Sequence, residues 1–156
     1  MIILLDIDGV LVTTPPWRPT ESLADGFMRF NDYAAKYLHL LIEKTGADIV
    51  LTSTHRINYS IEGWKNIFSL RGIHTNSISR LNQIKTIQDM LSRAIEIKEW
   101  FDNEGAQHNF VIIDDDPSLN DFPLFLKQKW VKTKPLIGFN EEAMTEAFKI
   151  LQLNIQ

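Results

Sequence analysis

Asp6 and Asp8 stand two residues apart directly after the first apolar run of the chain, and Gly9 follows them. In an extended chain, side chains two residues apart point to the same side, so both carboxylates can face one pocket. One carboxylate could attack phosphorus to form an aspartyl phosphate, while the other protonates the leaving oxygen and then deprotonates water. Gly9 would let the backbone turn and approach a ligand closely. The alternative is a calcium loop or a polar turn, but Val10 and Leu11 follow where a calcium loop needs further oxygen ligands.

A run of hydroxyl and basic side chains follows the second short apolar stretch, and it reads Thr52-Ser53-Thr54-His55-Arg56. A hydroxyl group, from Thr52 or Ser53, and free backbone amides at a strand end can hold a phosphate oxygen during transfer. The alternative is a turn rich in Ser and Thr that ends in a surface arginine, Arg56. We interpret His55 as a packing or rim residue, because no second histidine lies at metal-ligand spacing.

Two basic residues, Arg93 and Lys98, stand on the helix predicted before the third apolar stretch. In a strand–helix–strand unit this helix runs antiparallel to the strands, so its first residue lies at the edge where the acids are expected. A cation there could neutralise the nucleophile and the phosphate together. Lys98 lies five residues further on, about 7.5 Å from that edge at ~1.5 Å per residue, so Arg93 is favoured. The alternative for either residue is a solvated cation near Glu96 or Glu99.

Three adjacent acids, Asp114, Asp115 and Asp116, follow the third apolar stretch. They would repel one another unless a positive charge lay among them. A hard divalent cation meets that need, and Mg²⁺ usually takes one or two carboxylates together with water and substrate oxygens. The alternative is an acidic helix start, with Asp116 or Ser118 as the cap. Metal binding is the favoured interpretation for Asp114.

The elements that must position these side chains are short apolar strands that alternate with helices. Strands are predicted at residues 2–5, 49–51, 110–113 and 130–133. Apolar residues at helical spacing predict helices that begin near Phe27, Ile61, Ala94 and, with an N-cap, Asn140. Residues 73–91 show no clear pattern. Strands that are apolar throughout predict an α/β fold of three layers, with a doubly wound, mostly parallel sheet whose carboxyl edge carries the ligand site.

The chain has 156 residues, a net charge of −4 and no cysteine. This length is typical of one domain, so we expect residues 1–156 to form a single domain. The lack of cysteine excludes a disulfide scaffold, thiolate metal ligands and a cysteine nucleophile. The weak negative charge provides no broad basic field for long nucleic acids, although a local basic site could bind one phosphorylated end. The first apolar run is too short for a membrane span or a signal peptide, and we expect a cytoplasmic protein with no membrane partner.

The order of these four runs resembles the four motifs of the haloacid dehalogenase superfamily, and the resemblance covers nearly the whole chain. The matching segments read IILLDIDGVL, ADIVLTSTHR, SRAIEIKEW and NFVIIDDD. Their details are similar to a small subgroup without a cap, which occurs alone and as a module in predicted RNA-repair proteins. In that subgroup the second motif often has Trp before the arginine, and this chain has His55 there. The resemblance implies a Rossmann-like core.

The resemblance also implies a role for each matching residue. Asp6 would be the nucleophile, Asp8 the acid and base, Thr52 or Ser53 the phosphate-binding hydroxyl and Arg93 the basic residue. Mg²⁺ would be bound by Asp6, the Asp8 carbonyl and Asp114, with Asp115 supporting the metal or its water. The expected activity is a Mg²⁺-dependent phosphatase reaction through an aspartyl phosphate.

Members of the superfamily select substrates with an inserted cap, and this chain has no room for a folded one. Residues 11–47 hold one loop and one helix, and residues 57–91 hold a helix, a short strand and a loop. An open site suits bulky substrates such as nucleic-acid ends, nucleotides or phosphoproteins, or an oligomer whose neighbour closes the site. Trp17, Arg18, His55 and Arg56 could form its rim, and each is equally compatible with ordinary surface.

Three other functions use similar residues. A receiver-type signalling domain also uses aspartates and magnesium, but its acidic pair precedes its phosphorylated aspartate and its lysine comes last, which is the opposite order. A non-catalytic module could keep the fold and bind phosphate or a protein partner. A phosphotransferase could pass the phosphoryl group to a hydroxyl group other than water.

Overall fold

The computed structural model describes residues 1–153. Within these residues, five strands (β1 to β5) span Ile2–Leu5, Asp48–Leu51, Ile78–Arg80, Phe110–Asp114 and Trp130–Lys132. Five α-helices (α1 to α5) span Asp32–Thr45, Ile61–Leu70, Arg93–Asn103, Leu124–Lys127 and Glu141–Gln152. Short 3₁₀ turns span Thr54–Ile57, Ile87–Asp89, Gly105–Gln107 and Pro117–Asp121. No helix in this part of the chain is both long and apolar enough to cross a membrane.

The described strands form one parallel sheet in the order β3-β2-β1-β4-β5. The order reverses between β1 and β4, and ligands of open α/β sheets bind at that point, beyond the carboxyl ends of the strands. Leu5 of β1 pairs with Leu51 of β2 and with Ile113 of β4, so the three central strands end level. The predicted Rossmann-like, doubly wound fold is confirmed, and the sheet is parallel throughout.

The strands read as continuous apolar runs because each buries side chains on both faces of the sheet. Ile3 and Leu5 belong to the core beneath helices α1, α2 and α5. Leu4 belongs to a second core beneath α3 and α4, together with Val50 and Ile112 of the neighbouring strands. Helices therefore cover both faces, which gives the predicted three layers.

Helix α1 begins later than its apolar spacing predicts. The spacing predicts a helix from near Phe27, whereas α1 begins at Asp32. Asn31 ends the preceding loop, since its backbone ψ is 130° and its side-chain oxygen accepts hydrogen bonds from two backbone amides of the first turn. Phe27 and Phe30 are buried side chains of that loop. The prediction was wrong here because a loop that packs against the core can repeat apolar residues at helical spacing.

Other element ends lie close to their predicted positions. Helix α5 follows Asn140, whose side chain caps it by accepting from the amide of Ala143, as predicted. Strand β3 is the short strand that the sequence predicts within residues 57–91, whereas helix α4 was not predicted. The segment between β2 and α3 holds a 3₁₀ turn, α2, β3 and a second short turn. It contains no large cap, which agrees with the expectation of an open site.

Candidate active site

Three polar side chains lie level at the carboxyl edge of the sheet. Asp6 follows β1, Thr52 follows β2 and Asp114 ends β4. The amide of Asp6 donates to the carbonyl of Ile113 at 3.1 Å, and the amide of Thr52 donates to the carbonyl of Leu5 at 2.9 Å, so the ladder continues to these residues. All three are buried, with relative exposures of 4%, 0% and 0%. The parallel register alone therefore brings together residues that are far apart in the sequence.

Arg93 reaches the same place from the start of helix α3. Ser92 caps this helix, its hydroxyl accepting from the amide of Ile95 at 3.3 Å. Nη1 of Arg93 lies 2.6 Å from Asp114 Oδ2 and 3.3 Å from Asp6 Oδ1. Burial alone would lower the pKa of Arg93, but the charges of Asp6 and Asp114 outweigh it and raise that pKa. A permanent positive charge thus lies beside two buried carboxylates.

Asp6, Asp114 and Asp115 form an acidic cluster in which one ligand oxygen from each lies within 4.8 Å of the others. Burial raises the pKa of Asp6 to about 6, and burial together with the charge of Asp6 raises the pKa of Asp114 to about 7. Burial also raises the pKa of Asp115. When all three are ionised, Arg93 balances one of their charges and two remain. A divalent cation that prefers oxygen ligands would balance both, so the cluster fits Mg²⁺.

Asp115 can reach this cluster because Gly9 has no side chain. Gly9 has a φ of 76°, and a Cβ atom at this position would collide with the carboxylate of Asp115. The sequence predicts that Gly9 lets the backbone approach a ligand closely. In the structure, the space beside it is filled by one of the acids of the cluster.

Thr133 also belongs to this region, although its role was not predicted from the sequence. Its buried hydroxyl donates to the carbonyl of Gly9 at 2.8 Å. Next to it, the amide of Phe139 donates to the carbonyl of Val10 at 2.8 Å. The segment after β5 therefore holds the loop that carries Asp8. A signal was present in the sequence, because Thr133 is the last residue of the stretch 130–133 that is predicted as a strand, and the ends of such strands lie at the carboxyl edge of the sheet.

Asp8 lies outside the acidic cluster and turns its carboxylate to solvent, with 60% of the side chain exposed. Its Oδ2 lies 2.9 Å from Nε2 of His55. This hydrogen bond raises the pKa of His55, against the opposite effect of its partial burial. His55 thus lies at the rim, beside the predicted acid and base.

The two candidate phosphate-binding hydroxyl groups have different surroundings. Thr52 Oγ1 accepts a hydrogen bond from Arg93 Nη1 at 3.3 Å and lies 3.5 Å from Asp114 Oδ2. Ser53 Oγ accepts from the amide of His55 at 3.2 Å and caps the following 3₁₀ turn. The geometry brings Thr52 to the acidic cluster and commits Ser53 to the turn, so Thr52 becomes the preferred candidate.

Arg56 does not lie at the rim, which corrects the expectation for this residue. Its side chain is completely buried, and its Nη2 lies 2.8 Å from Glu96 Oε2. Its Nη1 donates to the carbonyls of Thr52 and Ser53 at 3.0 and 3.3 Å. The ion pair with Glu96 of helix α3 keeps this guanidinium in the interior, so Arg56 holds the turn after β2 from below and is not exposed at the surface.

Three further candidates lie apart from the acidic cluster. Lys98 pairs with Asp102 on its own helix at 2.6 Å, with both side chains exposed. Trp17 and Arg18 lie on an exposed turn of the loop between β1 and α1, where Trp17 is 74% exposed. Within residues 1–153, none of the three has a hydrogen bond or an ion pair to the cluster. Their role in substrate binding stays a prediction.

The fold and this site together define a phosphatase-like α/β module. It has acids after β1 and β4, a hydroxyl group after β2 and an arginine from the helix before β4, on a parallel sheet without a large cap. Residues 2–144 match the protein family described as the HAD domain in Swiss Army Knife RNA repair proteins. The chain belongs to this family of the haloacid dehalogenase superfamily, as its four motifs predicted. No significant match was found among curated proteins or among solved structures.

Proposed function

We propose that this chain is a Mg²⁺-dependent phosphohydrolase that forms an aspartyl phosphate on Asp6. The proposal is carried by one observation, the buried group in which Arg93 lies between Asp6 and Asp114 at the carboxyl edge of the sheet. Burial and the charges of neighbouring acids raise the pKa values of both carboxylates, and side chains with pKa values shifted in this way cluster at functional sites.

The reaction takes two steps. In the first, a carboxylate oxygen of Asp6 bonds to phosphorus, the bond to the leaving oxygen breaks, and Asp8 gives its proton to that oxygen. In the second, Asp8 takes a proton from water, the water oxygen bonds to phosphorus, and the bond between Asp6 and phosphorus breaks. Phosphate leaves and both aspartates return to their first state. An acid at Asp8 favours phosphate esters over haloacids, because an alkoxide needs a proton and a halide does not.

Arg93 and Thr52 assist from the same edge of the sheet. The charge of Arg93 keeps the nucleophile ionised and offsets negative charge that accumulates during transfer. The hydroxyl group of Thr52, which lies beside Arg93, would donate to a phosphoryl oxygen. Arg56 and Thr133 hold the two loops from behind, and neither contacts the substrate.

Mg²⁺ is the cofactor that we propose for the acidic cluster. Asp6, Asp114 and Asp115 would hold it, and the resemblance adds the backbone carbonyl of Asp8 as a ligand. When bound, the ion would neutralise phosphoryl oxygens during transfer. Its charge would also lower the pKa values of the three acids, which burial raises in its absence.

A bulky phosphomonoester is the proposed substrate, with a phosphorylated RNA end as the first candidate. The family description names RNA repair proteins, and the site has no large cap. The carboxylate of Asp8 is more than half exposed, so a large leaving group could reach it. The net charge of −4 favours recognition of one terminal phosphate over binding of a long strand.

Phosphate release tests the proposal. Metal-free protein is assayed with and without Mg²⁺ on para-nitrophenyl phosphate, 3′-phosphorylated and 5′-phosphorylated RNA, nucleotides, sugar phosphates and phosphopeptides. We expect turnover that requires Mg²⁺ and is lost in Asp6→Asn. Product analysis in the presence of added alcohols separates hydrolysis from transfer to another hydroxyl group.

Asp116→Asn is the matched control for loss of one carboxylate. Asp116 belongs to the same run of acids, but its side chain caps the following turn by accepting from the amide of Ser118 at 2.8 Å. Asparagine can keep that cap. We expect Asp116→Asn to retain turnover. Equal activity in the wild type and in Asp6→Asn would refute the nucleophile assignment, and a lack of turnover on every substrate would favour a binding module.

A further inference from the structure

The Asp8 carboxylate needs an orienting contact, because the fold holds its backbone but leaves its side chain in solvent. The amide of Gly9 donates to the carbonyl of Val12 at 2.8 Å, and the amides of Leu11 and Val12 donate to the carbonyl of Ile7 at 2.8 and 3.0 Å. This loop is therefore closed on itself. An exposed aspartate side chain on such a loop would still sample several rotamers.

His55 is built to supply that contact. Its backbone amide is bound to Ser53 Oγ at 3.2 Å, which fixes the start of the side chain. Its ring packs edge to face on Phe27, with ring centroids 5.5 Å apart and an interplanar angle of 87°. With 26% of its side chain exposed, His55 is more buried than the carboxylate that it holds.

The support behind the His55 ring is itself rigid. Phe27 is 5% exposed and packs edge to face on Tyr59 and on Trp64, with ring centroids 5.7 and 5.3 Å apart. Arg71 fixes its backbone by donating to its carbonyl at 3.0 Å. The imidazole is therefore held by a packed aromatic group, and Nε2 is the ring atom that faces Asp8.

We propose that His55 is the positioning residue for Asp8, holding Oδ2 with Nε2–H so that Oδ1 carries the proton toward the leaving oxygen. This rests on the proposed function and adds a residue to it. Oδ2 accepts the hydrogen bond whether Asp8 is protonated on Oδ1 or ionised, so the contact can persist through both steps.

An exposed ion pair without function is the competing explanation, because such pairs contribute little to stability. The two explanations differ in how they depend on the leaving group. An orienting contact acts only where Asp8 must deliver a proton, whereas a structural contact affects all substrates alike. The ratio kcat/KM reports on proton delivery to the leaving group, because it includes the steps up to departure of that group and excludes hydrolysis of the aspartyl phosphate.

The test compares para-nitrophenyl phosphate, whose leaving group needs little protonation, with para-nitrobenzyl phosphate, whose alkoxide needs a proton. His55→Phe keeps the packing on Phe27 and removes the donor. We expect kcat/KM to fall about tenfold or more for the benzyl ester and less than about threefold for the aryl ester, as part of the ~10²–10⁴-fold effect of general acid catalysis. An equal fall for both esters, or no fall, would overturn the proposal.

Three further variants identify the donor as the cause. His55→Gln keeps an N–H that can reach Asp8, and we expect it to recover most of the loss on the benzyl ester. In Asp8→Asn, adding His55→Phe should lower kcat/KM no further, because the two residues act as one unit. His108→Phe replaces an exposed histidine beyond the opposite edge of the sheet and should leave both esters unaffected. Failure of His55→Gln to recover activity, or additive losses, would contradict the assignment.

A measurement without turnover separates this inference from the proposed function. Long-range ¹H–¹⁵N spectra report which ring nitrogen of His55 carries the hydrogen bond. We expect the Nε2 resonance to move in Asp8→Asn and to stay in Asp116→Asn. If the Nε2 resonance is unchanged in Asp8→Asn, the contact is absent and the inference is wrong. If it responds but the wild type hydrolyses neither ester, the proposed function has failed, and the claim that the contact serves catalysis falls with it.

Discussion

Arg56 and Glu96 form an ion pair in the interior of the protein, with 2.8 Å between Nη2 and Oε2 and side-chain exposures of 0% and 2%. The pair joins the turn after β2 to helix α3. Glu96→Ala would leave the guanidinium buried without its counter-charge, and the expected loss of stability is about 3–5 kcal/mol. Urea unfolding of the wild type and of Glu96→Ala at neutral pH measures this difference in the free energy of unfolding.

Asp102→Ala provides the control on the same helix. Asp102 pairs with Lys98, but both side chains are largely exposed, so its loss should cost less than about 1 kcal/mol. A similar cost for the two variants would mean that burial adds nothing to the pair between Arg56 and Glu96. Glu96→Ala should also lower phosphate-ester turnover where it folds, because Arg56 holds the carbonyls of Thr52 and Ser53.

This pair also marks where sequence reasoning stops. Asp6 and Asp114 could be placed because each follows an apolar strand, and parallel strands end at a common edge. The burial of Arg56 could not be predicted, because it depends on Glu96, which lies far along the chain. In the sequence, Arg56 looks like the last residue of a polar turn. The failure at Phe27 has another cause, because periodicity reports burial and does not separate a helix from a packed loop.

Stability in the absence of metal should depend on pH through the acidic cluster. The folded pKa values of Asp6 and Asp114, about 6 and 7, lie above the ~3.9 of an unperturbed aspartate. A raised folded pKa contributes stability that is complete below about pH 4 and is lost as pH rises through the folded value. The free energy of unfolding of Asp114→Asn, measured in EDTA relative to the wild type, should therefore increase between pH 5 and pH 8. A difference that is constant across this range would show that the buried acids do not titrate as stated.

Mg²⁺ should restore the stability that the metal-free protein loses as pH rises, and its effect should be larger at high pH. Protons compete with the ion for Asp6 and Asp114, so affinity should rise as pH passes their pKa values of about 6 and 7. Calorimetric titration of metal-free protein at pH 5.5 and pH 8 measures this directly, and the shift in thermal midpoint gives a second reading. Asp114→Asn should bind at least about tenfold more weakly, whereas Asp116→Asn should bind like the wild type. Equal Mg²⁺ affinity in Asp114→Asn and Asp116→Asn would show that the ion does not bind at the acidic cluster.

The contact between Gly9 and Asp115 can be tested with a control variant that has the same backbone strain but lacks the contact. Gly9 and Gly26 have φ values of 76° and 81°, so the backbone strain of an alanine should cost a similar ~1–2 kcal/mol at either position. A Cβ atom at Gly26 meets nothing within 4 Å, whereas one at Gly9 meets the carboxylate of Asp115. Gly9→Ala should therefore weaken Mg²⁺ binding and lower turnover, while Gly26→Ala should lower only stability. Retained Mg²⁺ affinity in Gly9→Ala, measured by the same calorimetry, would show that Asp115 can hold the ion from another position and that the fit against Gly9 has no part in building the site.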